Sequence, residues 1–357
     1  MSAVRPFGRG DLSAVAALYH RVVRKGEGPP PESLAAGLER ALLDHPWAEP
    51  DLPSLVYEDA RGGIAGFQAA YPRRMTLAGR PVRMVSCGQL VADPDSGTVG
   101  IGGLLMRRML AGEQELTTTD GASGEVRAMW TRLGGSTGGM TCLGWTRVFN
   151  PAQLALHVAA RHWGQSRQSR QSGGPGPVPA SPDELTPERL IEQVEQSRKR
   201  LRPAYDAEYL EWLFSEMEAV QGRGPLARRL VRDEGGRPLG WYVAYLPSSG
   251  IGQAIGIGSI RPDAGPVLDR LFSDARAAGA SAVQGRVEPA LLPALTTRRC
   301  LFRRSEWALV HYADDEVAAA AGREQAMLTR LDGEWWMGFH LTGDGRSLFA
   351  ERGPTGA

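Results

Sequence analysis

The stretch DSGTVGIGGLL, residues 95–105, contains the residue types that could bind an anion. Its glycines have no side chain to keep a ligand away from the backbone. They are Gly97, Gly100, Gly102 and Gly103. The residues that follow predict a helix, whose first N–H groups have no partner inside the helix and carry the positive end of its dipole. Such a loop suits a pyrophosphate, and a turn that binds nothing is the alternative interpretation.

Two better-known phosphate loops do not fit this stretch. No Gly-Lys-Ser/Thr follows the glycines, so it is not a Walker loop. A predicted hairpin precedes it in place of an opening βαβ unit, so a dinucleotide-binding fingerprint fits poorly. The loop is therefore predicted to bind phosphate in neither of these two ways.

The elements that must position the loop follow an α/β pattern. The first half predicts two helices, a hairpin turning at Gly62-Gly63, a strand, and then helix, strand, helix and strand. The second half repeats this order, with its hairpin turning at Gly235-Gly236. We therefore predict an α/β (α+β) protein with two similar domains, each a mixed, mostly antiparallel central sheet flanked by helices.

A stretch rich in Gly, Pro and Ser lies between the two halves. It has no apolar periodicity, and such a composition cannot bury enough surface to become ordered, so a flexible linker is predicted. The expected ranges are a first domain at 1–163, the linker at 164–188, a second domain at 189–350 and a tail at 351–357.

Composition limits the classes of partner. The 357 residues carry 41 Lys and Arg against 40 Asp and Glu, and this balance argues against binding DNA or tRNA. The three cysteines have no CxxC spacing and the six histidines form no metal-binding motif, so no metal is predicted. A signal peptide and an apolar run of membrane length are both lacking, and a cytoplasmic location without membrane contact is expected.

The stretch LVADPDSGTVGIGGLLM resembles the acetyl-coenzyme A loop of the GCN5-related N-acetyltransferases, V-x-P-x-x-R/Q-G-x-G-x-G/A. Ala92 stands two residues before Pro94, and Gly97 takes the Arg/Gln position. Gly100 and Gly102 match two glycines of the pattern.

A second segment, GEVRAMWTRLGG, stands where that family has another characteristic helix. The resemblance covers roughly Val4 to Phe149 and extends more loosely over the second half, so the chain is similar to a tandem, two-domain acetyltransferase. It implies transfer of an acetyl group from acetyl-coenzyme A (acetyl-CoA), as co-substrate, to a small-molecule amine. The implied CoA-binding residues are Leu90, Val91, Ala92, Gly97, Thr98, Val99, Gly100, Ile101, Gly102 and Gly103.

Catalytic groups are harder to assign by the resemblance. The strand positions that often supply a base in the family are Ser86 and Gly88 here. Cys87 and Gln89 alternate with them and are expected on the opposite face of the sheet. Ser86 is therefore one candidate catalytic residue.

The tyrosine that serves as acid in the family falls on Trp130, which has no titratable proton. Asp120, at the end of the predicted strand LTTTDG, is the nearest carboxylate and the second candidate catalytic residue. A turn-forming aspartate before Gly121 is the alternative interpretation.

The second half departs further from the pattern. Gly256 and Gly258 lie within a predicted strand, and Pro266 removes an N–H group where a phosphate would need one. The second domain is therefore predicted not to bind CoA. Near the end of the chain, Trp335 and Trp336 in DGEWWMGF predict an apolar clasp, with the rim of an acceptor site as the alternative.

Two other functions stay open at this point. Trp130 in the tyrosine position is compatible with a catalytically silent module that senses acyl-CoA. An aminoacyl-tRNA-dependent transferase could use the same fold, although the near-neutral charge argues against it. The acceptor, the acyl chain length and the oligomeric state, for which a homodimer is one alternative, are not determined by the sequence.

Overall fold

The computed structural model describes residues 3–162, 183–220 and 222–337. The strands in these ranges are β1 (Ala3–Pro6), β2 (Leu55–Glu58), β3 (Ile64–Leu77), β4 (Arg80–Ala92), β5 (Leu116–Ala122), β6 (Ser136–Thr137), β7 (Leu143–Val148), β8 (Leu201–Pro203), β9 (Leu226–Arg232), β10 (Pro238–Tyr245), β11 (Ile251–Ser259), β12 (Ala282–Arg286), β13 (Leu301–Arg304) and β14 (Trp307–Tyr312). The α-helices are α1 (Leu12–Val22), α2 (Glu32–Leu42), α3 (Ile101–Leu110), α4 (Gly124–Arg132), α5 (Pro151–His162), α6 (Pro187–Glu195), α7 (Ala207–Glu218), α8 (Gly265–Ala278), α9 (Leu292–Thr297) and α10 (Asp315–Gly322). No helix within these ranges has the length and apolarity needed to cross a membrane.

Packing divides the chain into two compact units, and neither is a continuous half of the sequence. Unit 1 comprises Met1–Gly139, Lys199–Val220 and Glu306–Ala357, and unit 2 comprises Met140–Arg198 and Gln221–Ser305. The units differ from the expected ranges because β7, expected in the first domain, belongs to unit 2, and β14, expected in the second domain, belongs to unit 1. β7 pairs with β12 and β13 in unit 2, whereas β14 pairs with β5 and β6 in unit 1. Alternation of apolar residues predicts that a strand forms, but it does not specify the partner strand.

The expected linker lies mostly outside the described residues, as does the expected tail at 351–357. The last residues of the linker are described, and they bond to β9. The Leu230 N–H donates a 2.8 Å hydrogen bond to the Asp183 carbonyl, and the Leu185 N–H donates one of 3.3 Å to the Arg228 carbonyl.

Each unit has a mixed, mostly antiparallel sheet, which confirms the predicted fold class. In unit 1 the described strands run in the order β1-β2-β3-β4-β5-β14-β6, with β8 paired to β3. In unit 2 they run in the order β13-β7-β12-β11-β10-β9. The parallel pairings are β4 with β5 in unit 1 and β11 with β12 in unit 2. The predicted hairpins turn at Gly62 and Gly236, which have φ angles of +83° and +80°.

The sheet of unit 1 is covered on both faces. On one face, α3 buries Ile101, Leu105 and Met109, whose four-residue spacing places them on one side of the helix. Cys87 of β4 belongs to the same apolar cluster. The helices α1 and α2 contact β3, and each buries an apolar stripe. The face that carries Ser86 is described below.

Candidate active site

The candidate site lies where β4 and β5 of unit 1 separate. The paired residues of these parallel strands are Met84 with Leu116, Val85 with Thr117 and Ser86 with Thr118. Beyond Ser86 and Thr118 the two strands are not paired, although β4 continues to Ala92 and β5 to Ala122. Strands that part in this way leave backbone groups along the gap, and an extended chain that contains amides can bind such groups.

A β-bulge in β4 turns Gln89 toward the face of Ser86. Between Gly88 and Val91, β4 has two residues where β3 has one. Gln89 has a φ of +43°, a conformation that a residue with a side chain rarely adopts. Tyr71, which lies opposite Ser86 in the register, donates a 2.6 Å hydrogen bond from its hydroxyl to Gln89 Oε1.

The bulge corrects one expectation from the sequence. Strand alternation predicts Cys87 and Gln89 on the face opposite Ser86. This is confirmed for Cys87, which packs in the apolar cluster with Ile101. It is wrong for Gln89, because a bulge interrupts the two-residue period and re-aims the side chain that follows.

A second bulge, in β5, affects Asp120. Between Thr119 and Ala122, β5 has two residues where β14 has one. Asp120 is buried inside the strand and not in the turn that was the alternative interpretation. Its Oδ1 accepts a 2.9 Å hydrogen bond from the Trp335 N–H, and its Oδ2 lies 3.8 Å from Nε of Arg330.

The side chain of Glu334 lies between the two strand ends. Its Oε2 accepts a 3.0 Å hydrogen bond from the hydroxyl of Ser86 on β4. From β5, its Oε1 accepts hydrogen bonds from the Thr119 hydroxyl and from the N–H groups of Asp120, at 3.0 Å, and Gly121, at 3.2 Å. The two predicted catalytic residues, Ser86 and Asp120, are thus brought together around a third residue that the sequence analysis missed.

Two glycines make room for these carboxyl groups. A Cβ on Gly88 would lie 2.4 Å from Cγ of Glu334, and a Cβ on Gly333 would lie 2.4 Å from Oδ2 of Asp120. Burial raises the pKa of Glu334 well above the usual value for glutamate, and the negative charge of Asp120 raises it further. A buried carboxyl group with a raised pKa is a candidate for proton transfer.

Glu334 belongs to the segment 326–337, which packs into unit 1. The buried apolar side chains of this segment are Leu331, Trp335, Trp336 and Met337. The Arg330 guanidinium lies 4.1 Å from the ring centre of Trp335 and donates a 3.1 Å hydrogen bond to Glu306 Oε2. The described part of DGEWWMGF therefore packs as an apolar clasp, and through Glu334 it also lines the strand gap.

The glycine-rich loop leads directly from β4 into α3. After a short 3-10 turn at Pro94–Ser96, Gly97 and Gly100 have φ angles of +72° and +86°, which favour glycine. The helix begins at Ile101 without a side-chain cap. The first N–H groups of α3 are therefore available to a ligand.

Gly102 and Gly103 occupy the first turn of α3 without a positive φ. A Cβ on Gly103 would meet no heavy atom within 4 Å, and one on Gly102 would make only ordinary contacts of 3.7 Å or more. Packing inside the chain does not require glycine at either position, although glycine costs a helix about 0.5–1 kcal/mol relative to alanine. What glycine provides at both positions is space beside the helix.

The ten predicted CoA-binding residues differ in exposure. The exposed ones are Gly97, Thr98, Val99 and Gly100, the half-buried ones are Leu90, Ala92, Gly102 and Gly103, and the buried ones are Val91 and Ile101. The Ile101 side chain packs against β3, where a Cβ on Gly66 would lie 2.4 Å from Ile101 Cγ2. Ile101 can therefore offer a ligand its backbone N–H but not its side chain.

Trp130, in the position where the resemblance has a tyrosine, is a core residue. Its side chain is buried in the apolar cluster beneath the sheet, and its Nε1 donates a 2.9 Å hydrogen bond to the Val310 carbonyl of β14. A Cβ on Gly135 would lie 2.1 Å from the indole ring. The tryptophan is thus explained by packing and supplies no acid.

The corresponding helix of unit 2, α8, has a blocked N-terminus. The Asp263 carboxylate accepts a 2.7 Å hydrogen bond from the Gly265 N–H, and Pro266 has no N–H to offer. A Cβ on Gly265 would lie 2.4 Å from the Arg298 guanidinium, so the side of the helix is covered as well. A carboxylate at this position excludes a phosphate by charge and by volume.

No family model and no curated protein matches the sequence. Solved structures do match the fold. A conserved protein of unknown function from Enterococcus faecalis V583 matches with a TM-score of 0.57 at 11% identity, over 87% of this chain and 73% of that one. A GCN5-related N-acetyltransferase from Anabaena variabilis matches with a TM-score of 0.57 at 11% identity, over 88% and 74% of the two chains.

A GCN5-related N-acetyltransferase from Kribbella flavida matches with a TM-score of 0.54 at 14% identity, over 88% of this chain and 72% of that one. At these identities the likeness concerns the arrangement of helices and strands. The chain shares its fold with these three structures, two of which are GCN5-related N-acetyltransferases.

Proposed function

We propose that this protein is an N-acyltransferase that uses acetyl-CoA to acylate a small-molecule amine at unit 1. The observation that carries the proposal is the position of the gap between β4 and β5. The gap opens on the strand that leads into the glycine-rich loop, and buried carboxyl groups stand at its closed end. The fold shared with GCN5-related N-acetyltransferases supports the same conclusion.

The loop would hold the pyrophosphate of the co-substrate. The N–H groups of the first turn of α3 and the positive end of its dipole suit a dianionic group. Exposed Gly97 and Gly100 allow a phosphate to approach the backbone, and half-buried Gly103 leaves space beside the helix. Unit 2 offers no equivalent, since Asp263 blocks its helix, so we propose one CoA site in unit 1.

The gap would hold the pantetheine arm and the thioester. Pantetheine contains two amides, and the unpaired edge of β4 beyond Ser86 can bond to them as a neighbouring strand would. The thioester would then lie near the bulges, beside the carboxyl groups of Glu334 and Asp120. Holding the amine and the thioester together supplies most of the rate enhancement expected of direct acyl transfer.

A catalytically silent acyl-CoA sensor is the second candidate. The observation that favours it is Trp130, which replaces a titratable group by a core side chain. A sensor would bind acetyl-CoA and release no thiol.

Two measurements test these proposals. A calorimetric titration with acetyl-CoA should show one site per chain, and release of free thiol in the presence of a panel of primary amines and hydrazides should show turnover. Binding without thiol release from any acceptor would favour the sensor. The absence of binding at millimolar acetyl-CoA would refute both.

A further inference from the structure

We propose that Glu334, with the buried carboxylate of Asp120 beside it, is the group that takes the proton of the attacking amine in the acyl transfer. This inference rests on the proposed function and assigns a residue to its chemical step. It is carried by the position of Glu334 across the strand gap.

Glu334 contacts both strands at the point where they part. Ser86, the donor on β4, is the last residue of that strand paired with β5. Thr119, the first donor on β5, directly follows the last paired residue of that strand. The carboxyl group therefore stands at the closed end of the gap, where a thioester bound along β4 and β5 would end.

The bonding of Glu334 is unusual for a carboxylate that only holds a fold together. Within residues 3–162, 183–220 and 222–337, its hydrogen-bond donors are two hydroxyl groups and two backbone N–H groups, all of them neutral. A carboxylate that is buried among neutral hydrogen-bond donors is costly, because these donors only partly replace its hydration. Glycine at position 88 also leaves the space that the Glu334 side chain occupies. These features are those of a group retained for its proton chemistry.

The charged and titratable groups around Glu334 determine the pH range in which its carboxyl group binds a proton. Asp120 lies beside it on β5 and Tyr71 faces it from β3, whereas Cys87 of β4 points to the opposite face of the sheet. Arg330, in the same segment, lies 3.8 Å from Asp120 and balances its negative charge. Burial and the charge of Asp120 both raise the pKa of Glu334, whereas the hydrogen bond from Thr119 lowers it.

The proposed step balances in atoms and charge. A neutral amine attacks the thioester carbon, the C–N bond forms, and the amine proton passes to the carboxylate of Glu334. The C–S bond then breaks, and the same proton passes from the carboxyl group to the sulfur, which leaves as free CoA thiol. The products are an amide and a thiol, and no other reactant is needed.

The test compares two isosteric substitutions in the same segment. Glu334→Gln removes the titratable group, and Asp332→Asn removes a second buried carboxylate, which accepts a 2.6 Å hydrogen bond from Tyr205. The rate of thiol release from acetyl-CoA is measured against pH with benzoic hydrazide, which is unprotonated above about pH 5, or with the most active hydrazide of the panel. The acidic limb of the profile then reports a group on the protein.

We expect Glu334→Gln to lower kcat by at least about 100-fold, to lose the acidic limb and to keep the Kd for acetyl-CoA within about 2-fold. We expect Asp332→Asn to keep both kcat and the limb. A folded Glu334→Gln protein with unchanged kcat and an unchanged limb overturns the inference and leaves the proposed function standing. A wild-type protein that releases no thiol with any acceptor overturns both.

A second variant covers the case in which Glu334→Gln does not fold. In Asp120→Asn the negative charge beside Glu334 is removed, so its pKa falls and the acidic limb should move to lower pH by about one unit or more. An acidic limb that stays in place in this variant, or is lacking in the wild type, overturns the inference.

Discussion

The glycine at position 103 allows a demanding test of the CoA loop, because stability and binding should change in opposite directions. In Gly103→Ala the new methyl group would meet no heavy atom of the described residues within 4 Å, and the backbone has no positive φ to forbid it. Alanine is the better helix former by about 0.5–1 kcal/mol, so the variant should be more stable by that amount. The same methyl group would occupy the space that we assign to the co-substrate. We expect the Kd for acetyl-CoA to rise at least about 10-fold, equivalent to roughly 1.4 kcal/mol.

Thermal and urea unfolding measure the first effect, and calorimetric titration with acetyl-CoA measures the second. Gly37→Ala is the matched control, because Gly37 lies inside α2 and its added Cβ would also meet nothing within 4 Å. This control should gain similar stability and keep the wild-type Kd. A Gly103→Ala protein that binds acetyl-CoA as the wild type does would refute the assignment of this space to the ligand.

The remaining predictions concern the strand gap and the segment behind it. Gly88→Ala should lower the unfolding free energy by about 1–3 kcal/mol, because its methyl group would lie 2.4 Å from Glu334 Cγ; an unchanged urea midpoint would contradict this. Because burial raises the pKa of Glu334 in the folded state, its stabilising contribution is complete below about pH 4.3 and is lost as pH rises through the folded pKa. The unfolding free energy of Glu334→Gln should therefore rise relative to that of the wild type as pH rises, by at most about 1.4 kcal/mol per pH unit. Parallel curves of unfolding free energy against pH would argue against the raised pKa. Trp336→Ala should cost about 3–5 kcal/mol because the side chain is fully buried, whereas Leu156→Ala at an exposed position should change the urea midpoint little. Equal effects of these last two changes would mean that the segment is not packed as described.

The fold class and the glycine loop were predictable because their signals are local. Apolar spacing in α1, α2 and α3 gives the helices, and Gly62 gives a hairpin turn through residues next to each other in the sequence. The loop is likewise a short run between a strand and a helix, and two of its glycines, Gly97 and Gly100, are in positions where a positive φ is needed.

The positions of the candidate catalytic side chains were less predictable, because they depend on residues distant in the sequence and on bulges in the strands. Alternation misplaced Gln89, since a bulge adds a residue that no local pattern announces. Glu334 is 214 positions from Asp120 in the sequence. The apolar residues of DGEWWMGF predict that the segment is buried, but they do not predict the elements against which it packs. The placement of β7 in unit 2 and of β14 in unit 1 was missed as well, because strand alternation does not specify the partner strand.

The late position of β14 and of Glu334 in the chain has a consequence for biosynthesis. Unit 1 begins near the N-terminal end of the sequence, yet β14 and the segment that ends at Met337 complete its sheet and its strand gap. A ribosome that adds about 5–20 residues per second needs roughly 10–40 s to proceed from β5 to this segment. During that interval the nascent unit 1 has an open edge at β5, where a chaperone or another strand can bind. Folding of the proposed active site is thereby tied to synthesis as far as Met337, and chains interrupted before that residue would be left without it.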